Sequence, residues 1–300
     1  MTAAEGARPP GPNAESLAPT QIGTRLFEWG RCTYVMGILN VTPDSFSGDG
    51  LLAPQAGYPG AGVAAAVVQA RRMVDEGADI LDVGGESSRP GHDPVDAAEE
   101  AARVVPVISA IHAALPEVPV SVDTSKPAVA EAALEAGASL LNDVWGVSDD
   151  AAMARLAAAR GVPLIVMHNR AQPEYRDFMA ELLEDLRAAL SRALAVGVPC
   201  QNLIVDPGFG FGKMPEHNLE VVRELGRLRQ LGQPILLGTS RKSTIGRVLG
   251  GLPTEDRLEG TLATTAIAIA AGVDIIRVHD VRANVRAALV ADAICRSERP

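Results

Sequence analysis

The sequence predicts an α/β chain folded as a (β/α)8 TIM barrel, a single domain over residues 23–300 behind a disordered tail at 1–22. Three observations carry that prediction. Eight strand-like apolar runs are each followed by helical sequence, and strands separated by helical crossovers pair in parallel. The eight units occupy about 270 residues with no break in style, the size of a closed barrel. Each run also ends in a polar or charged residue, at the end of the strand where barrels of this kind hold their active sites. An open doubly wound sheet is the alternative, but the glycine-rich turn at 84–91, GGESSRPG, lacks the G-x-G-x-x-G spacing of dinucleotide folds.

The first strand is the run Val35, Met36, Ile38 and Leu39, which breaks at Asn40 and passes into the polar loop Thr42 to Gly50. Pro54 to Gly62 looks like a loop insertion. A helix over Ala64–Glu76 stops at Gly77, and the strand Ile80–Val83 runs into the loop Gly84 to Gly91. A helix over Asp96–Leu115 precedes the strand Val118–Val122, which ends at Asp123-Thr124-Ser125-Lys126. Ala128–Ala136 is helical up to Gly137, Ser139–Leu141 is a brief strand ending in Asn142-Asp143, and Asp150–Arg160 is a helix closed by Gly161.

The fifth strand, Pro163–Met167, ends in His168-Asn169-Arg170. A long helix, Glu174–Val196, stops at Gly197. Leu203–Val205 ends at Asp206 and enters the loop Pro207 to Lys213. A helix over Glu216–Leu231 leads to the strand Ile235–Leu237 and the loop Gly238 to Ser243. Two helical stretches follow up to Ala271, with Gly272 as the stop. The last strand, Asp274–Val278, carries Arg277, His279 and Asp280 at its end, and Val281–Cys295 is the closing helix.

A net charge of −10 argues against a nucleic-acid partner, which usually needs a basic face. Three cysteines, Cys32, Cys200 and Cys295, make no disulfide framework and favour a reducing compartment. No run reaches about 18 apolar residues, so no membrane span is expected. The first residues lack the basic start and apolar centre of a secretory signal, and a cytoplasmic location is the expectation.

The strand ends supply the chemistry. Asp123, Asn142 and Asp206 each follow directly on a buried apolar run, where a solvent-facing explanation is weak. They offer donors and acceptors that suit a flat heterocycle rich in N–H and C=O groups, since a carboxylate matches an amino-imine pair much as it matches a guanidinium. Lys242, Arg277, His279 and Arg89 supply positive charge for a phosphate-like group. Ser240 precedes a helix whose N-terminal amides can bind an anion, and the amide oxygen of Asn40 suits a hard cation. Of 27 basic residues only Lys126, Lys213 and Lys242 are lysines, and all three lie in strand-end loops, as do Phe46, Phe209 and Phe211. No His/Cys cluster has zinc spacing and no nucleophile elbow is present, so the site is built to bind and to stabilise a leaving anion.

Seven stretches in order then carry a family resemblance: NVTPDSFS (40–47), GGESSRPG (84–91), SVDTSK (121–126), NDV (142–144), DPGFGFGK (206–213), GTSRKS (238–243) and RVHDV (277–281). Over about residues 34 to 295 the chain resembles the dihydropteroate synthases. The resemblance implies a barrel that joins 6-hydroxymethyl-7,8-dihydropterin diphosphate to 4-aminobenzoate with loss of diphosphate. It implies pterin binding by Asp123, Asn142, Asp206 and Lys242, with Ser88 standing where the family often has threonine. It implies Mg2+ at Asn40 and diphosphate binding by Arg277 and His279. The loop Thr42 to Phe46, with Asp44 assigned to catalysis, matches the segment that closes over the second substrate. Ser240 lies near that substrate's carboxylate, and Met167 and Phe211 join the substrate-binding set. Lys242, Arg277 and His279 are the other catalytic assignments. A homodimer through helices late in the chain is also implied. Two features depart from the family, the order Gly48-Asp49 and the long insertion at 54–62. A pterin-binding paralogue without synthase activity and a corrinoid-linked methyltetrahydrofolate methyltransferase stand as alternatives; the latter should lack the Arg277/His279 cluster and the SRKS loop.

Overall fold

A short antiparallel hairpin, β1 (Thr20–Ile22) and β2 (Arg25–Phe27), precedes eight parallel strands. The computed structural model describes residues 17–41, 61–86 and 95–296. The parallel strands are β3 (Tyr34–Asn40), β4 (Ile80–Gly84), β5 (Val120–Asp123), β6 (Leu140–Asp143), β7 (Leu164–Met167), β8 (Leu203–Asp206), β9 (Leu236–Leu237) and β10 (Ile275–Val278). They run side by side in the order β8-β7-β6-β5-β4-β3-β10-β9. A parallel bridge between Val205 and Ile235 joins the two ends, with the Val205 amide donating to the Pro234 carbonyl at 2.9 Å. The closed barrel is therefore the outcome, not the open sheet.

The helices described are α1 (Ala61–Asp75), α2 (Ala97–Ala114), α3 (Pro127–Glu135), α4 (Ala152–Arg160), α5 (Phe178–Ala195), α6 (Pro215–Arg223), α7 (Ser243–Val248), α8 (Leu258–Ala270) and α9 (Val281–Cys295). Their ends follow local chemistry. The Asp96 carboxylate accepts from the Glu99 amide at 2.8 Å and Asp177 from the Ala180 amide at 3.1 Å, the side-chain caps that satisfy first-turn amides. The predicted stops Gly77, Gly137, Gly161, Gly197 and Gly272 all adopt φ between +67° and +112°. Two helices differ from expectation. The stretch 216–231 breaks after Arg223 into a 3-10 turn over Leu225–Leu231, and the long helix starts at Phe178 rather than Glu174, because Asp177 takes the cap.

Alternate strand residues face opposite ways. One set, including Val35, Leu81, Val122, Leu141, Val166 and Val205, packs outward on the helices. The other set, Met36, Ile80, Leu140, Ile165, Ile204, Leu236 and Ile275, fills the barrel at its N-terminal end together with Ile22, Phe27 and Trp29 of the hairpin region. The hairpin is a plug: Phe27 is fully buried, which stabilises by roughly 1.5–3 kcal/mol for a side chain of its size. Trp29 Nε1 donates to Thr20 Oγ1 at 2.9 Å, and that hydroxyl reaches the Gln201 carbonyl at 2.6 Å. The expected tail therefore ends too late. Thr20–Ile22 is a strand whose ends are buried in the barrel floor, a role that three residues cannot announce without the cavity they fill. The insertion expected at 54–62 ends sooner than predicted, since Ala61 already begins α1; its earlier residues lie outside those described.

Candidate active site

The inward rows that begin in the apolar floor continue upward with period two, and they turn polar. Above Met36 come Ile38 and Asn40; above Ile80 come Asp82 and Gly84; above Leu140, Ile165 and Ile204 come Asn142, Met167 and Asp206; above Ile275 comes Arg277. Register aligns these ends: Asn40 with Gly84, Gly84 with Asp123, Asp123 with Asn142, and Met167 with Asp206. Asp123, Asn142 and Asp206 thus share the C-terminal mouth of the barrel.

Arg277 sits among them rather than at the rim. Its Nε donates to Asp82 Oδ2 at 2.5 Å and its Nη2 to Asp123 Oδ2 at 2.6 Å, with only 15% of the side chain exposed. Asn142 Nδ2 also donates to Asp82 Oδ2, at 3.2 Å. Two of the three side-chain nitrogens of Arg277 are thus held by carboxylates. Asp82 is the residue that the reading of the sequence missed. It is fully buried inside an apolar run, and its place two residues after Ile80 was the available signal. Its Oδ1, and Ser121 Oγ on the register partner, have no hydrogen-bond partner among the described residues.

Lys242 closes the other side. Its Nζ donates to the Phe209 carbonyl and stands 4.5 Å from the centroid of the Phe211 ring. Burial lowers its pKa to about 8, partly opposed by the nearby Asp206 carboxylate. Asp206 accepts from the Gly208 amide at 2.7 Å, and burial raises its pKa against the pull of Lys242. Burial likewise lifts Asp123 to about 7, with Arg277 opposing and Asp82 adding to the rise. Charged groups of both signs are thus held in a space where each costs free energy unless partnered.

Ser240 and His279 meet at the ends of β9 and β10. Ser240 Oγ accepts from the His279 amide at 3.1 Å and lies 2.9 Å from His279 Nδ1. The hydroxyl thus holds both the backbone and the ring of His279 in place. The helix expected after Ser240 is the short α7, which begins only at Ser243, so Ser240 serves the histidine instead of an amide cradle.

The other lysines brace the loops. Lys126 Nζ binds Glu86 Oε2 and Glu100 Oε2, both at 2.5 Å. Lys213 Nζ lies 2.8 Å from His168 Nδ1 and donates to the Phe211 carbonyl at 2.9 Å. Asn40 is partly exposed at the mouth. A side chain on Gly84 would lie 3.7 Å from both Asn40 Oδ1 and Asp123 Oδ2, so the glycine keeps the space between those oxygens open. No group of three or more His, Cys, Asp or Glu among the described residues can hold a metal. A lone amide oxygen at an open mouth fits a cation whose other ligands are water and a diphosphate, the usual habit of Mg2+. Asp44, Phe46, Ser88 and Arg89 lie outside the described residues.

Comparison with known proteins follows the same lines. The family model for pterin binding enzymes matches residues 36–279. A dihydropteroate synthase of Clostridium beijerinckii is 50% identical over 277 residues, covering 92% of this chain and 99% of the relative. A crystal structure of dihydropteroate synthase from Clostridium difficile, determined in the presence of pteroic acid, superposes with a TM-score of 0.84 at 47% identity, covering 90% of this chain and all of that one. The Xanthomonas albilineans dihydropteroate synthase with 4-aminobenzoic acid gives a TM-score of 0.85 at 40% identity, over 93% of this chain and 98% of that one. Among the described residues no helix is long and apolar enough to cross a membrane.

Proposed function

Because the chain belongs to the dihydropteroate synthase family of pterin-binding enzymes, we propose that its barrel mouth joins 6-hydroxymethyl-7,8-dihydropterin diphosphate to 4-aminobenzoate, giving 7,8-dihydropteroate and diphosphate. The observation that carries this reading is the convergence of Asp123, Asn142 and Asp206 from the inward rows of β5, β6 and β8, with Arg277 and Lys242 beside them. Three hydrogen-bonding side chains above an apolar floor suit a flat, polar-edged ring, and two buried cations suit the anion it carries. Relatives whose structures were determined with pteroic acid and 4-aminobenzoic acid support the same pair of ligands.

Each residue then has a part. Asp206 and Asn142 accept from and donate to the edge of the pterin, and Asp123 does so while holding Arg277. The charge of Arg277, and its Nη1, offset the growing negative charge as the bond from the exocyclic carbon to the diphosphate oxygen breaks and its electron pair leaves with the oxygen. His279, held by Ser240, binds the departing group. The arylamine nitrogen then forms the new bond to that carbon and loses a proton. Lys242 opposes the rise that burial gives the Asp206 pKa. Asn40 would hold Mg2+, which when bound supplies further charge neutralisation for the diphosphate.

Two finer points belong to this reading. Ile267 of α8 and Val290 and Ile294 of α9 are more than half exposed, which supports a homodimer through these late helices. The three free cysteines support a reducing cytoplasm. The test is release of diphosphate from the pterin substrate with Mg2+, with and without 4-aminobenzoate. Release that depends on the arylamine and yields dihydropteroate is expected. Tight pterin binding without release would favour a non-catalytic paralogue, and no pterin binding would overturn the site.

A further inference from the structure

We propose that Lys213 is a positioning residue that sets the placement of Phe211 and, through it, the arylamine side of the site; this rests on the synthase reading above. The loop from Pro207 to Lys213 lies directly on the backbone after β7. A side chain on Gly208 would come within 1.9 Å of the His168 carbonyl oxygen, and one on Gly212 within 2.3 Å of the Arg170 carbonyl oxygen. Gly208, Gly210 and Gly212 all have positive φ, so the loop alternates left-handed glycines with residues that carry function.

Four ties hold it. Asp206 takes the Gly208 amide at 2.7 Å, Asn218 Oδ1 takes the Gly210 amide at 2.6 Å, and Tyr175 Oη donates to the Gly212 carbonyl at 2.7 Å. Lys213 donates to the Phe211 carbonyl at 2.9 Å. Of these side-chain ties only the last acts on Phe211, the residue whose ring faces Lys242; within the loop the Phe211 amide also donates to the Gly208 carbonyl at 3.0 Å. Of the described phenylalanines, Phe211 alone is not buried, so its ring is the one left to meet a second flat substrate.

Lys213 is itself held from behind. Its Nζ lies 2.8 Å from His168 Nδ1 and 3.3 Å from the His168 carbonyl, while His168 Nε2 lies 3.1 Å from Asp185 Oδ2, which also accepts from Arg170 Nε at 2.8 Å. This order requires a neutral His168 with its proton on Nε2. Burial and the neighbouring Lys213 depress its pKa to about 3, as that order needs. A buried histidine and a carboxylate on α5 thus aim one amine at one carbonyl of the rim. The arrangement places a chain of contacts from Asp185 through His168 and Lys213 to Phe211.

The test measures three quantities for the full-length wild type, Lys213→Met and Tyr175→Phe: affinity for the pterin diphosphate by calorimetry, KM for 4-aminobenzoate, and kcat. Lys213→Met should raise KM for 4-aminobenzoate about tenfold or more, while pterin affinity stays within about threefold. Tyr175→Phe, which removes a tie not attached to Phe211, should change neither by more than about threefold. A double-mutant cycle with Phe211→Ala supplies the decisive readout, since Lys213→Met should add little once the ring is gone. Equal losses in pterin affinity and arylamine KM, additive effects in the cycle, or an unchanged KM would each overturn the proposal. If Lys213→Met does not fold, Lys213→Gln carries the same cycle. Failure of the wild type to consume 4-aminobenzoate would instead overturn the synthase reading, so the two failures are separable.

Discussion

Arg277 Nε donates to Asp82 Oδ2 at 2.5 Å inside the barrel, across a sequence separation of 195 residues. Both groups are withdrawn from water, and breaking such a pair leaves the surviving charge buried with less compensation. Asp82→Ala should therefore destabilise the fold by about 3–5 kcal/mol, read as a lower urea midpoint. It should also release Asn142, whose amide shares the same oxygen, and so weaken pterin binding. An unchanged midpoint would show that the pair carries no structural weight.

The two sides of the site should separate by mutation. Asp206→Ala removes a pterin acceptor and should weaken binding of pterin with or without its diphosphate by about 10- to 100-fold. Arg277→Ala should weaken the diphosphate form more than the diphosphate-free pterin alcohol, because charge on the leaving group is what the cation answers. Calorimetry with the two ligands checks both, and equal losses for Arg277→Ala would remove it from the diphosphate.

Asp123 and Lys242 make activity depend on pH in opposite senses. Asp123, lifted to about 7, is a carboxylate only above that pH, and Lys242, lowered to about 8, is charged only below its own. The profile of kcat/KM should then rise through about 7 and fall through about 8, as apparent values of a coupled set. Asp123→Asn should flatten the acid limb. Stability follows by linkage. For Asp123 the folded state holds the extra proton, so its contribution is full below the unfolded carboxylate value and is lost as pH rises through about 7. For Lys242 the unfolded state holds the extra proton, so stability gains as pH rises from about 8 to the ordinary lysine range. Melting curves of the two neutral variants against pH test the signs.

The floor of the barrel should be separable from its mouth. Phe27→Ala empties a fully buried position in the plug and should cost about 3–5 kcal/mol, while both KM values change little. A large change in either KM would mean that the floor and the site are coupled through the inward rows.

What the sequence determined by itself was whatever is written locally. Alternating apolar runs and helical stretches, with glycine at the helix stops, specify a parallel α/β chain, because strand and helix periodicity and the left-handed caps are properties of neighbouring residues. Asp123, Asn142 and Asp206 were legible for the same reason, each being a polar residue at the end of an apolar run. The seven spaced stretches identified the family. The tertiary structure alone decided what long-range contact creates. Asp82 looked like part of a core strand until closure of the barrel brought Arg277 against it. Thr20–Ile22 looked like tail until the floor gave it a cavity to fill. The three lysines looked alike in sequence, but Lys126 ties Glu86 of a strand-end loop to Glu100 of α2, Lys213 holds a carbonyl, and Lys242 stands against the Phe211 ring. A charge takes its role from the partner and the burial it meets, and both are set by residues far away along the chain.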